Sequence, residues 1–391
     1  MSQSPRNKEP GLPQAPSALS SGSSPSAKLS GGRESFAADE LAIVLSHFEI
    51  GVIEAIQDFP RGSRKAPKLI IRSEMEVQTA DGGRTEKGLY LLKRRARGKE
   101  DPFRVAFCHA LQLYLASKQF PLPHLIGTKK DNNSMLQWKG AIYELFEYIK
   151  GTSYDNSLEA TADSGKTLAL FHKLLSDYQP EYEPAQGSYH GARFVGQAME
   201  QIPLTLAKFE PQRAREEADR IAQTVQFLHT SYNEAAHRVN EMGLSDWPMQ
   251  IIHSDWHPGN MLFRGSRVVA VIDYDAARMH QRIVDVANGA LQFSILGGGD
   301  DAAQWPDYID ESRYKRFLRA YDSVPNCVLS KAELRTIPWL MIEALIAEIA
   351  IPIAATGSFA RMEGVGFLDM VERKVRWLQE HAESLANVLE S

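Results

Sequence analysis

The chain has 391 residues, 43% of them hydrophobic and 24% charged, the composition of an ordinary globular protein. That length exceeds one small core and predicts two lobes. A net charge of −5 supplies no general attraction for nucleic acid or anionic lipid, and the one basic run, "KRRARGK" at 93–99, reads as a solvated face.

Residues 1–34 are rich in Ser, Pro and Gly and carry no apolar periodicity, so they predict a disordered tail without the basic-then-apolar order of a signal peptide. "ADELAIVLSHF" has helical spacing, and "IGVIEAIQDF" alternates as a strand does. "RGSRKAPK" (61–68) is a turn. "LIIRSEMEVQTA" and "KGLYLLKRR" flank a polar "DGGRTE" and predict an antiparallel hairpin. "PFRVAFCHALQLYLASKQF" (102–120) predicts a helix with Pro102 in its first turn. "HLIGTKK" and "SMLQWKGAIYELFEYI" read as two further strands. A β-rich lobe over 35–149 is therefore expected.

From 150 to 391 the pattern is mainly helical, with helical periodicity at 158–177, 211–242, 280–296, 311–321, 331–350 and 362–388. The longest apolar run, "WLMIEALIAEIAIPIAATG" (339–357), contains Glu343, Glu348 and Pro352, so it predicts a buried helix and not a bilayer span. No membrane or nucleic-acid partner is expected. The two cysteines, Cys108 and Cys327, have no metal-ligand spacing and form no disulfide framework, which fits a reducing cytoplasm.

Two glycine-bearing stretches fail as nucleotide motifs. "SGKT" (164–167) has Ala160 where a phosphate-binding P-loop needs Gly, and no strand precedes it. "GGGDD" (297–301) lacks a strand-loop-helix setting. His253, Asp255 and His257 alternate as zinc ligands on a strand would, yet Pro258-Gly259 ends any strand there; a zinc hydrolase is a minor alternative.

The stretch with the most chemistry is "IIHSDWHPGNMLF" (251–263), followed by "VVAVIDYDAAR". Phosphoryl transfer needs a carboxylate beside the attacking hydroxyl, a second carboxylate for magnesium, and a neutral oxygen ligand to complete that site. Asp255, Asp273 and Asn260 supply this set. The turn "RGSR" lets the two apolar strands pair, which brings Asp273 to the loop carrying Asp255 and Asn260.

"HSDWHPGN" and "VIDYD" resemble the catalytic and metal-binding segments of the aminoglycoside phosphotransferase and choline/homoserine kinase-like family, relatives of the protein kinases. The resemblance implies an α+β, two-lobed protein kinase-like fold, with a small antiparallel β-sheet N-lobe and a mainly helical C-lobe. It implies Asp255 as catalytic base and Asn260 and Asp273 as Mg2+ ligands. Asp275 either assists at the metal or forms a nearby salt bridge. Asp285 in "RIVDVA" would tie down the catalytic loop, and His253 would hold that loop by hydrogen bonds. Trp256 either lines the acceptor pocket or packs.

In the N-lobe, Lys93 in "YLLKRR" resembles the strand lysine that meets the ATP phosphates, with Lys87 and Arg94 as competitors if the register differs. Gly62 and Ser63 occupy the place of the phosphate-covering loop. "YELFEYIKG" resembles the hinge, where backbone around Glu144, Phe146 and Glu147 would meet adenine. One departure stands out: protein kinases pair the strand lysine with a Glu on the next helix, and here the helix offers only His109 and Gln112, with Glu100 and Asp101 before it.

The expected activity is ATP- and Mg2+-dependent transfer of a phosphoryl group to the hydroxyl of a small metabolite, of homoserine, choline or aminoglycoside type. The rivals are a catalytically silent nucleotide-binding scaffold of the same fold and a protein kinase. The sequence is silent on oligomeric state.

Overall fold

A computed structural model of the protein describes residues 33–60, 62–79, 82–298, 301–359 and 362–389. Most of the expected tail, residues 1–32, and part of "GGGDD" lie outside the described residues. The architecture is the α+β, two-lobed one that the sequence leads one to expect, a five-stranded antiparallel sheet beside a mostly helical remainder.

The N-lobe opens with α1 (Ala38–Leu45), then β1 (Val52–Asp58), β2 (Lys68–Thr79) and β3 (Gly82–Arg94). Helix α2 (Pro102–Ser117) follows, capped by Asp101, whose carboxylate accepts the Phe103 N–H at 3.0 Å. Strands β4 (Leu136–Trp138) and β5 (Ala141–Glu147) complete a sheet of order β1-β2-β3-β5-β4.

Because side chains alternate along a strand, the register divides this sheet into two faces. Leu69, Ile71, Leu92, Tyr143 and Leu145 share one, buried beneath α1 with Val44 and Leu45. Lys68, Ile70, Leu91, Lys93, Glu144 and Phe146 share the other.

Three expectations need correction here. From Gly82 onward the polar "DGGRTE" is strand: β3 starts there and pairs with Thr79, Asp81 lying outside the described residues. "HLIGTKK" forms only isolated bridges, Phe48 with Thr128 and Leu125 with Phe146. "SMLQWKGAIYELFEYI" is a hairpin, not one strand, because Lys139 and Gly140 both take positive φ (49° and 80°), the conformation of a tight two-residue turn.

The C-lobe contains α3 (Leu158–Leu175), α4 (Arg193–Phe209), α5 (Pro211–Glu216), α6 (Ala218–Glu241), α7 (Ile283–Ser294), α8 (Glu311–Asp322), α9 (Lys331–Thr356) and α10 (Gly364–Ala386). Three short antiparallel pairs lie among them: β6 (Met249–Ile252) with β9 (Arg278–Gln281), β7 (Met261–Arg264) with β8 (Arg267–Val271), and β10 (Ser358–Phe359) with β11 (Met362–Glu363). Helix α9 is buried along most of its length. It starts at a Ser330/Glu333 capping box, runs on through Pro352, and ends at Gly357 in the left-handed region. Gly165 of the "SGKT" decoy is a packing residue: a Cβ there would lie 2.3 Å from the Phe317 carbonyl oxygen on α8.

Candidate active site

Strand β6 ends at Ile252 and delivers the chain into a loop that the buried Asp285 holds from below. Its carboxylate accepts the backbone N–H of His253 at 2.6 Å and of Ser254 at 2.7 Å, and meets the imidazole of His172 at 3.3 Å. Ser254 sits at φ 64°, a strained conformation that these two bonds stabilise. Asp285 thus occupies the tethering position expected of it.

His253 does not hold the loop through side-chain hydrogen bonds. Neither buried ring nitrogen has a partner at full hydrogen-bond geometry, the Ile272 backbone being the polar group in looser contact, and the ring packs edge-on against Phe171 and Trp256 and tilted against Tyr274. Burial keeps this imidazole below its ordinary range, hence neutral, against the pull of Asp285 and Asp255. Trp256 is fully buried, with its indole N–H donated to Ser164 at 3.2 Å, so it is core and not pocket wall.

Asp255 projects from this loop. The Asn260 amide nitrogen donates to its carboxylate at 2.7 Å and to its backbone carbonyl at 3.0 Å, and His257 Nε2 lies 3.7 Å from the other oxygen. Burial acts to raise the Asp255 carboxyl, but His257 and Asn260 outweigh it and hold the group below the usual carboxylate range. Asp255 is therefore an ionised acceptor at neutral pH. The His257 imidazole, for its part, is raised, Asp255 and then Glu348 overcoming its burial.

The β7–β8 hairpin brings Asp273 to the same end. Met261 pairs with Val271, and the Ile272 N–H donates to the Asn260 carbonyl at 2.9 Å, so Asp273 follows the residue joined to Asn260. Asp273 stands at φ 64°, a conformation Asp tolerates better than most residues. Its carboxylate is exposed and makes no hydrogen bond or ion pair among the described residues. With the Asn260 nitrogen committed to Asp255, its amide oxygen is the atom left to accept a cation. Asp273 and Asn260 thus offer two hard oxygen donors, the type that suits a divalent alkaline-earth ion. Among the described residues no group of three or more His, Cys, Asp or Glu side chains could hold a metal.

Across the cleft, Lys93 lies on the sheet face it shares with Lys68 and Glu144, while Lys87 pairs with Glu74 and Arg94 turns to the face beneath α1, held by Glu34 at 2.9 Å and Glu40 at 2.6 Å. Of the three cations, only Lys93 pairs in register with Lys68 and Glu144 and lies within ion-pair distance of Asp275.

Glu144 lies within the β3–β5 ladder, directly opposite Lys93. Its carboxylate is 3.5 Å from Lys93, 2.7 Å from Arg95 and 2.7 Å from His109. Burial alone would raise this carboxyl; Lys93, His109 and Arg95 instead hold it far below the usual range. Asp275 joins the cluster at 2.9 Å from Arg95 and 3.8 Å from Lys93, which is the salt-bridge arm of its two readings. The missing helix carboxylate is thus supplied by the neighbouring strand, and α2 contributes His109 behind it.

Sequence reasoning missed Lys68, Arg95 and this role of Glu144. Lys68 pairs in register with Lys93, its ammonium is lowered by burial and by Lys93, and it feels Asp273 and Asp275. The alternation in "KLIIR" places Lys68 and Ile70 on one face, but only the register shows that Lys93 lies on the same one. Gly62 stands at φ 79°, where an added Cβ would come 2.7 Å from Lys68 Nζ, and Ser63 Oγ accepts the Lys65 N–H at 3.2 Å. Phe146 is half-buried opposite Leu91 on the same sheet face. The backbone of Glu144–Glu147 is largely engaged: Leu145 accepts from Ile126 at 2.8 Å, and Glu147 donates to His124 at 2.8 Å. A separate cavity of about 440 Å³ lies behind α2, lined by His109, Ser134 and Tyr178, and includes none of the residues above except His109.

Comparison with known proteins agrees with this geometry. Residues 76–327 match the phosphotransferase enzyme family (APH). No curated protein matches the sequence significantly. Among solved structures, the chain is similar to a microcompartment-associated aminopropanol kinase (TM-score 0.61, 12% identity, covering 88% of this chain and 98% of that one). It is also similar to the amicoumacin kinase hAmiN in complex with AMP-PNP and Ca2+ (0.60, 12%, 88% and 94%). An aminoglycoside phosphotransferase from Alicyclobacillus acidocaldarius gives 0.59 at 16% identity over 90% and 99%. The chain is a phosphotransferase, a member of the phosphotransferase enzyme family built on the protein kinase-like fold.

Proposed function

We propose that this enzyme transfers the γ-phosphoryl group of ATP to a hydroxyl of a small amino-bearing metabolite. Asp255 is the base: ionised and held by Asn260, it accepts the hydroxyl proton as that oxygen attacks the γ-phosphorus and ADP leaves. Asn260 and Asp273 hold Mg2+, which when bound neutralises phosphate charge. Lys93 and Lys68 face the phosphates, covered by the Gly62–Ser63 turn, and Ile70, Leu91 and Phe146 offer an apolar surface to adenine. The observation that carries this reading is the Ile272–Asn260 bond, which joins the Asp255 loop to the Asp273 hairpin.

An acceptor with an amine is favoured by Glu348 on α9, whose carboxyl is raised by burial against the pull of His257 and the Gln292 hydrogen bond, so that a cationic group beside it would stabilise its charged form. Aminopropanol and aminoglycosides, named for the structural neighbours, are of this type. The two buried, unpaired cysteines fit a cytoplasmic setting.

A screen of hydroxylated amines for acceptor-dependent ADP release, with an Asp255→Ala control, tests the proposal. Acceptor-dependent release lost in the variant supports it. Nucleotide binding with no release for any acceptor supports the silent scaffold, and labelled phosphoprotein from generic protein acceptors supports a protein kinase.

A further inference from the structure

Two guanidinium groups stand together beside the catalytic loop without a counter-charge. Arg104, in the first turn of α2, donates to the Asp275 carbonyl at 3.3 Å. Arg278, the first residue of β9, donates to the Ala276 carbonyl at 2.9 Å and the Gly187 carbonyl at 3.2 Å. Consecutive carbonyls of one short loop thus hold a guanidinium from each lobe. Among the described residues neither has a carboxylate within salt-bridge distance.

The carboxylates around them are committed elsewhere. Asp275 serves Arg95 and Lys93. Asp101 caps Phe103, Glu100 accepts the Gly98 N–H at 2.6 Å, and Asp285 binds the backbone of His253 and Ser254. The electrostatics agree. Arg278 is lowered, first by burial and then by Arg104, with Asp285 and Asp255 too weak to compensate. His280, two residues further along β9, is pulled down to about 4 by burial, His190 and Arg278.

A planar guanidinium matches an oxyanion through paired N–H donors, and two such groups held on consecutive carbonyls suit a ligand with several acceptor oxygens. We propose that Arg104 and Arg278 form a binding site for a phosphate or carboxylate group that bridges α2 and β9. Arg278 pairs with Ile252, three residues before Asp255, so an anion there ties the N-lobe helix to the base of the catalytic loop. The oxyanion is either an acid group on the acceptor or a separate small anion. The site itself is independent of the proposed acceptor chemistry.

The test is a calorimetric titration of the full chain with inorganic phosphate, in saturating Mg·ADP so that the Lys68/Lys93 cleft is filled. One site per chain is expected, weakened about tenfold or more in Arg104→Gln and in Arg278→Gln, the loss of a charged hydrogen bond. Both variants should keep the wild-type melting temperature and Mg·ADP affinity, which shows that they fold. Absence of phosphate binding, or equal affinity in the wild type and both variants, overturns the proposal. The source is read from kinetics. Phosphate competing with an acid-bearing acceptor, and a KM for that acceptor raised in Arg278→Gln, identifies the acceptor; phosphate altering kcat/KM for Mg·ATP in the wild type but not in Arg278→Gln identifies a separate anion.

Discussion

Lys93 and Glu144 face each other across adjacent antiparallel strands, an ion pair fixed by the register of β3 and β5. Lys93, Arg95 and His109 share this one carboxylate, which is 1% exposed, so its charge sets the position of the cleft lysine. Glu144→Gln is expected to raise KM for ATP roughly tenfold, about the worth of one charge-assisted contact, with a smaller change in kcat. Glu144→Ala leaves buried cations under-compensated and is expected to cost about 3–5 kcal/mol of stability. Steady-state kinetics and denaturant titration check both. An unchanged KM in the Gln variant would separate Glu144 from nucleotide binding.

Asp255 and Asp273 are expected to fail in different ways. Asp255→Asn removes the proton acceptor but keeps an acceptor oxygen in the loop, so kcat should fall about 10²–10⁴-fold while nucleotide affinity is retained. Asp273→Asn should instead raise the half-saturating Mg2+ concentration, by about tenfold or more. Magnesium titrations of the two variants separate the roles; the same metal dependence in wild type and Asp273→Asn would remove Asp273 from the metal site.

Asp285 touches no substrate in the proposed mechanism, yet it fixes the backbone at Ser254. Asp285→Asn replaces one acceptor oxygen with a donor facing backbone N–H groups, at an expected cost of about 1–3 kcal/mol. A fall in both melting temperature and kcat, without a change in KM for ATP, is the expected pattern. A normal kcat in the folded variant would show that the loop holds its shape unaided.

Three histidines make the fold sensitive to mild acid. Burial holds His172 below its ordinary range despite Asp285, holds His253 down likewise, and takes His280 to about 4. In the unfolded chain each imidazole takes up its proton near pH 6.5, whereas the folded ones refuse it until the pH is lower. Their contribution to stability is therefore complete above about pH 6.5 and is lost as pH falls through the folded values. The melting temperature should drop between pH 7 and 5, and the slope should be shallower in His280→Gln, which keeps a partner for Ser188. A flat wild-type profile would contradict this.

The convergence of Asp255, Asn260 and Asp273 was legible because it is local: they lie within 19 positions, joined by one hairpin. The Lys93 cluster was not, because Glu144 is 51 residues away and becomes a partner only through strand register. Helix α4 was missed because Gly196 and Pro203 interrupt its composition, although Val195, Met199, Ile202 and Leu206 bury one face at helical spacing. The Lys139-Gly140 turn hid inside an otherwise continuous apolar run. In each case a tertiary contact decided what local preference left open.

A carboxylate anchored in the sheet has a further effect on control. Where the lysine's partner rides on a mobile helix, rotating that helix outward disconnects the pair and silences catalysis. Here a displacement of α2 would remove His109 but leave Lys93 and Glu144 bonded through neighbouring strands. On the proposed reading, the lysine that would meet the phosphates therefore keeps its carboxylate partner whatever the position of that helix.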